Sequence, residues 1–371
     1  MIDLFPIENS EALHKEIIRI LKSKKIASGH SVQEFEKQFE DQLGFSNSLT
    51  LNNLSSALFL ALKLSGVKSG DEVMTTPINC LSSTSPIANI GAKPVWIDFK
   101  PGTIFYDLED IKSKISKKTK AIIIYHFCGY PVVDNDLINF CRSKKIKIIE
   151  DCNNALLAKL EDKHVGINAD FTTFSFYPNR QINTIEGAML CCKDKELFHE
   201  AKKLRKFGLD LSKFRDGEDE IRIDYELKKI GYSFQLSNLS CNMGLLQMLN
   251  IEKNYRKVLL NIKKIEEAVS LKKDISTVLS IDKSLPAYWV LLISSAHKKK
   301  LMNYLKSAGI SASSIHSRND IYSGFNAEKT KLKGVDYIVD NVFGIPCHHQ
   351  LKDNEIAKIC SAIENFDPSS C

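Results

Sequence analysis

Apolar residues recur at helical spacing from Val32 to Leu43, and the short run Leu49-Thr50-Leu51 then reads as a strand. An apolar helix from Leu54 to Leu64 and a turn at Ser69-Gly70-Asp71 follow it. Further strands are expected at Glu72–Thr75, Pro94–Ile97, Ala121–Ile124 and Ile146–Ile149, each short, apolar and set between helical or turn segments. Continuous apolar strands of this kind are covered on both faces, so the pattern predicts an α/β fold built on a central, mostly parallel sheet. After about residue 245 the rhythm changes. One long helix from Leu246 to Val269, a strand from Tyr288 to Ser294, a helix from Lys298 to Ser307 and a terminal helix near Asp353–Phe366 form a smaller α+β unit. The division expected is therefore a large domain over residues 1–247 and a C-terminal domain over 248–371. No Gly/Ser-rich linker separates them, so they should pack together. Leu209–Asp224 is dense in charge and reads as an exposed loop, either a lid or a solvated surface.

Composition narrows the classes of function. A chain of 371 residues with 43% hydrophobic and 26% charged side chains can bury a sizeable core. The net charge of +6 is scattered, and the run His297-Lys298-Lys299-Lys300 reads as a solvated helix start. No basic stripe with interleaved aromatics accompanies it, so no nucleic acid partner is expected. The ten cysteines form no Cys-x-x-Cys pair, and Cys191-Cys192 are adjacent in an apolar strand, which suits reduced thiols in a cytoplasmic protein. Cys347-His348-His349 are too close in sequence to converge on one ion, so no metal is expected. Met1 to Pro6 lacks the features of a signal peptide and no apolar run approaches a membrane span, so a cytoplasmic protein without membrane contact is expected.

Candidate chemistry gathers at the carboxyl ends of the expected strands, where open α/β sheets bind ligands. Asp151 ends such a strand and can pair with a protonated ring nitrogen or cap a helix. Asn52-Asn53-Leu54-Ser55-Ser56 lies between a strand and a helix, where hydroxyls and free N–H groups suit an anion as well as a cap. Arg318, in His316-Ser317-Arg318-Asn319-Asp320, offers a planar fork for phosphate or carboxylate, with a surface salt bridge as the equal alternative.

In order along the chain, Gly70-Asp71-Glu72-Val73, Gly91-Ala92-Lys93-Pro94-Val95-Trp96-Ile97-Asp98, Gly129-Tyr130-Pro131, Glu150-Asp151, Phe174-Ser175-Phe176, Glu186-Gly187 and Leu204-Arg205 resemble the DegT/StrS sugar aminotransferase family. The resemblance covers nearly the whole chain and implies an aspartate-aminotransferase-like fold of type I, the pyridoxal phosphate class. It implies a homodimer with the site at the subunit interface and a nucleotide-linked sugar as ligand. Asp151 is similar to the partner of the pyridine nitrogen, and Ser55 and Ser175 to the hydroxyls on the cofactor phosphate. Ser56, Cys80, Asn154 and Ser233 complete the implied cofactor set, while His316, Arg318, Asn319 and Asp320 match a His-x-Arg-Asn-Asp motif expected to hold the substrate.

The same resemblance places a lysine where this chain has Arg180, within Tyr177-Pro178-Asn179-Arg180-Gln181. A lysine amine can shed its proton and condense with an aldehyde; a guanidinium stays protonated and does neither. Leu54, Asn154, Ser233 and Gln235 also depart from the pattern, which implies weakened or lost affinity for pyridoxal or pyridoxamine phosphate. Three readings follow: an enzyme that uses the aminated cofactor with another base such as His126 or Tyr177, a cofactor-independent enzyme with new chemistry in the pocket, or a non-catalytic sugar-nucleotide binder that pairs with an active paralogue. In all three, ordinary transamination is disabled.

Overall fold

The computed structural model describes residues 1–218, 220–327 and 330–369. Seven strands form the central sheet: β1 (Ser48–Leu51), β2 (Glu72–Thr75), β3 (Lys93–Trp96), β4 (Thr119–Tyr125), β5 (Lys147–Asp151), β6 (Phe171–Ser175) and β7 (Ala188–Cys192). Their spatial order is β1-β7-β6-β5-β4-β2-β3. From β3 to β6 every pairing is parallel, and β7 runs antiparallel to both β6 and β1. The parallel strands are buried along nearly their whole length, as their continuous apolar sequences require.

Register is what positions the site. Tyr125 pairs with Asp151, and Asp151 with Thr173, so three side chains stand in a row on one face at the carboxyl edge. Pleating sends Ile124, Glu150 and Thr172, one residue earlier on each strand, to the other face.

The helices Leu54–Leu64 and Lys298–Ser307 have the bounds read from sequence. The expected single helix from Leu246 is instead two, Asn238–Met248 and Ile251–Ser270, parted at Asn250, whose φ of −114° and ψ of 0° are not helical. No Gly or Pro marks this break. Its cause is tertiary, because the first helix packs on Ser31–Leu43 and the second on Asp353–Glu364, two partners that one straight axis does not serve.

A second, antiparallel sheet comprises β8 (Ser276–Thr277), β9 (Leu291–Ser294) and β10 (Val342–Ile345), with β9 in the centre. The strand expected from Tyr288 begins only at Leu291, since Tyr288 adopts a left-handed φ of +49°. The first residues of the chain also join this unit: Ile2 donates to the Gly309 carbonyl at 2.8 Å and accepts from Ser311 at 3.0 Å. The segment Leu209–Asp224, apart from Asp219 outside the described residues, carries a short helix at Leu211–Phe214 and is mostly exposed. Among the described residues no helix is long and apolar enough to cross a membrane.

Candidate active site

Asp151 lies at the end of β5 and is fully buried. Its Oδ1 accepts from the backbone N–H of Asn153 at 3.1 Å, while Oδ2 has no partner. Burial raises its carboxyl above the ordinary range, against the opposing pull of Ser83, Asn153 and Arg180. The Ser83 hydroxyl is near enough to favour the ionised form without completing a hydrogen bond, since both Ser83 Oγ and Asp151 Oδ2 are unpaired.

Arg180 occupies the loop after β6 and is only 9% exposed. Its Nη2 donates to Asn153 Oδ1 at 3.1 Å and its Nη1 to Asn179 Oδ1, while the guanidinium lies 4.7 Å from the centre of the Trp289 ring. No carboxylate lies within 4.0 Å of it among the described residues. Burial lowers its pKa from the usual guanidinium value, and Tyr125, Cys80 and Asp151 favour the charge.

Trp289 reaches the site from the C-terminal unit. Its Nε1 donates to the Asn179 carbonyl at 2.6 Å, and Phe5 and His316 flank its ring. His316 Nε2 is 3.3 Å from the Tyr125 hydroxyl, which donates to Asn154 Oδ1 at 2.7 Å. Burial, and then the Arg180 charge, pull the His316 pKa down to about 4, so the imidazole is neutral near pH 7.

Buried polar atoms without partners gather along this edge. Thr75 Oγ1, Asn79 Nδ2, Asp151 Oδ2, Asn154 Nδ2 and Arg180 Nε lie at or beyond the carboxyl ends of β2, β5 and β6, and Thr173 Oγ1 lies beside Asp151 in mid-β6. Each such group left unpaired costs about 1–3 kcal/mol, and native cores hold few of them. A polar ligand relieves that cost. The orphaned, desolvated Asp151 Oδ2 suits the protonated nitrogen of a pyridine ring, so this end of the pocket fits the cofactor that the resemblance implies. Arg180 does not fit the role of its covalent anchor.

Several expected residues are placed otherwise. His126 is wholly buried and donates from Nε2 to Glu150 Oε2 at 2.8 Å, which fixes it on the face opposite Asp151. It is a core histidine on the far face of the sheet from Asp151, with Nδ1 buried and unpaired, and is not placed to act as a base at this site. Tyr177 is 48% exposed and lines a surface cavity with Phe5 and His348, outside the buried cluster. Arg318 does not present a free fork, since Nε and Nη2 engage Asp320, the former at 2.9 Å, and Nη1 engages Asp336. The salt-bridge alternative holds for it, and Asp320 is spent on the same pair. Asn319 bridges the two units, donating from Nδ2 to Thr84 Oγ1 at 2.8 Å and to the Asn79 carbonyl at 3.1 Å.

Ser55 donates its hydroxyl to the Ser82 carbonyl at 2.9 Å, and the Ser56 N–H is taken by the Asn53 cap at 2.8 Å. Cys80 sits at the N-cap position of the helix Leu81–Asn89 without a side-chain capping bond, and is half-buried. Ser175 is buried and accepts from the Tyr177 N–H, whereas Ser233 and Gln235 are exposed. Cys347 Sγ faces the Tyr288 carbonyl while His348 Nε2 faces that of Asp3, so these neighbours diverge. Sequence reading missed Tyr125, Asn153, Thr173 and Trp289. Alternation back from Ser175 would have found Thr173, and Tyr125 directly follows the expected strand Ala121–Ile124, but nothing local signals Trp289.

The sequence matches the DegT/DnrJ/EryC1/StrS aminotransferase family over residues 8–364. The chain belongs to that family. Among DegT/DnrJ/EryC1/StrS relatives, it is 26% identical to the GDP-perosamine synthase of Escherichia coli O157:H7, over 92% of this chain and 91% of that one. It is 27% identical to the UDP-4-amino-4,6-dideoxy-N-acetyl-beta-L-altrosamine transaminase of Campylobacter jejuni serotype O:2, over 96% of each. The sugar aminotransferase CalS13 from Micromonospora echinospora superposes with a TM-score of 0.91 at 25% identity, covering 99% of this chain and all of that one. The α/β fold of the type I pyridoxal phosphate class, expected from the resemblance, is the fold of this family member.

Proposed function

We propose that this protein binds a nucleotide-linked sugar and does not carry out ordinary transamination. The observation that carries this reading is Arg180: a buried guanidinium, held by two amide oxygens and stacked on Trp289, stands where the family resemblance places a condensing amine. A guanidinium does not attack an aldehyde at accessible pH. The sugar-nucleotide half of the reading is supported by the relatives, whose names specify GDP- and UDP-linked sugars. Pairing of two copies is supported by the exposed apolar side chains of Phe207, Leu211, Ile223 and Ile230, close in sequence to the exposed Ser233 and Gln235.

The test incubates purified protein with pyridoxal phosphate, treats it with borohydride and titrates it with a panel of nucleotide sugars. Saturable sugar-nucleotide binding without a borohydride-fixed adduct is expected. A fixed adduct on the unmodified protein, or turnover of an amino donor, overturns the proposal.

A second reading is favoured by the unpaired Asp151 Oδ2: the aminated cofactor, held without a covalent bond. When bound, this group supplies an electron sink for deprotonation next to nitrogen. Asp151 would hold its ring nitrogen and Ser175 its phosphate. With His126 on the opposite face and Tyr177 outside the cluster, His316 beside Tyr125 is the imidazole that faces the pocket.

A further inference from the structure

Between Asp151 and Arg180 stands Asn153, which is 1% exposed. Its Nδ2 donates to Asp151 Oδ1 at 3.0 Å and its Oδ1 accepts from Arg180 Nη2 at 3.1 Å. The orientation of the amide is chemically determined, because a carboxylate only accepts and a guanidinium only donates. Two opposite charges in a desolvated site ordinarily close on each other, and arginine with carboxylate does so through two parallel hydrogen bonds that use both oxygens. Here that contact is not made. One amide satisfies a single oxygen of the carboxylate and a single edge of the guanidinium, leaving Asp151 Oδ2 and Arg180 Nε buried and unpaired. The two free atoms have complementary needs, a hydrogen-bond donor for the carboxylate and an acceptor for the cation.

We infer that Asn153 is an amide spacer that stops Arg180 from collapsing onto Asp151 and thereby keeps both open to one ligand, a 3-hydroxypyridine held without a covalent bond. A protonated ring nitrogen meets the need of Asp151, and an acidic ring oxygen meets that of Arg180. Asparagine suits the task because it donates and accepts through one rigid group; alanine does neither, and aspartate would seize the guanidinium while repelling Asp151. Asn153 is thus a positioning residue, acting on the ligand through its two charged neighbours. The inference rests on the reading of Arg180 as a residue that does not condense with the cofactor.

Isothermal titration calorimetry of the full chain with pyridoxamine 5′-phosphate tests it through a double-mutant cycle. Unmodified protein is expected to bind saturably. Asn153→Ala should weaken binding at least tenfold, because Arg180 then closes on Asp151. In the Arg180→Met background there is no guanidinium to restrain, so the same Asn153→Ala change should cost less than twofold. Asn153→Ser, which keeps a donor and an acceptor, should fall between the two and carries the cycle if the alanine variant does not fold. Equal losses in both backgrounds would mean a merely structural role and overturn the inference, as would binding unchanged within twofold in Asn153→Ala, or no binding by the unmodified protein. None of those outcomes touches the proposal of a transamination-disabled sugar-nucleotide binder, which falls only to a borohydride-fixed adduct or amino transfer on the unmodified chain.

Discussion

Two arginines divide the molecule's polar interior into a closed region and an open one. Arg318 spends its fork on Asp320 and Asp336, and the neighbouring Asn319 ties the C-terminal unit to the loop and helix after β2. Arg180 is more deeply buried yet meets no carboxylate, only two amides and an indole face. A motif residue whose three guanidinium nitrogens are all engaged by its own chain is architecture, whereas a buried cation left partly unpaired near a carboxylate with one free oxygen marks a place suited to a polar ligand. The difference lies in the surroundings of the two side chains, since their chemistry is the same.

The largest expected effect exchanges the chemistry of the open region. Arg180→Lys should, with pyridoxal phosphate, give a yellow, borohydride-reducible adduct, because Asp151 and the unpaired polar atoms around it remain in place. Absorbance before and after reduction reads this directly, and a colourless variant would mean that Leu54 and the other departures have closed the pocket.

Next in size is an acid-sensitive step at His316. Its folded pKa of about 4 lies below the ordinary 6.5, so the unfolded chain binds the proton more readily. Stability contributed above pH 6.5 is therefore lost as pH falls from 6.5 through 4, by on the order of 3 kcal/mol in all. Thermal melts across that window should show the loss in the unmodified protein and a flatter profile in His316→Gln.

In the closed region, Arg318→Ala strands the buried Asp320 and should cost about 1–3 kcal/mol, read as a lower denaturant midpoint. The smallest effect separates stability from binding. Asp151 has a raised carboxyl pKa, so its burial penalty grows as pH rises above the ordinary carboxyl value. Asp151→Asn should melt no lower than the unmodified protein at pH 7, with the difference shrinking towards pH 4, even as pyridoxamine phosphate binding falls tenfold or more.

Much of the large unit was legible because its strands are short apolar runs bounded by turns, and because Asp151 and Ser175 sit where parallel strands end. The helix Leu54–Leu64 declares both its ends through the Asn53 cap and the loss of apolar spacing after Leu64. The break at Asn250 was not legible, since two separate packing partners impose it on a sequence that remains helical in pattern. His126 looked eligible because it follows a strand, but one residue of pleat places it on the wrong face with Glu150. Trp289 and Asn153 were invisible for different reasons: the first arrives from more than a hundred residues away, and the second carries meaning only once both of its charged neighbours are located.

The Asn319 bridge also constrains mechanics. Because it pins the start of Leu81–Asn89 to the C-terminal unit while His316, three residues earlier, touches Tyr125, that seam should behave as a riveted joint rather than a hinge. Any breathing that admits a bulky guest would then come from the rim formed by the N-terminal arm and the Tyr177–Asn179 loop, where Phe5 lies over Trp289.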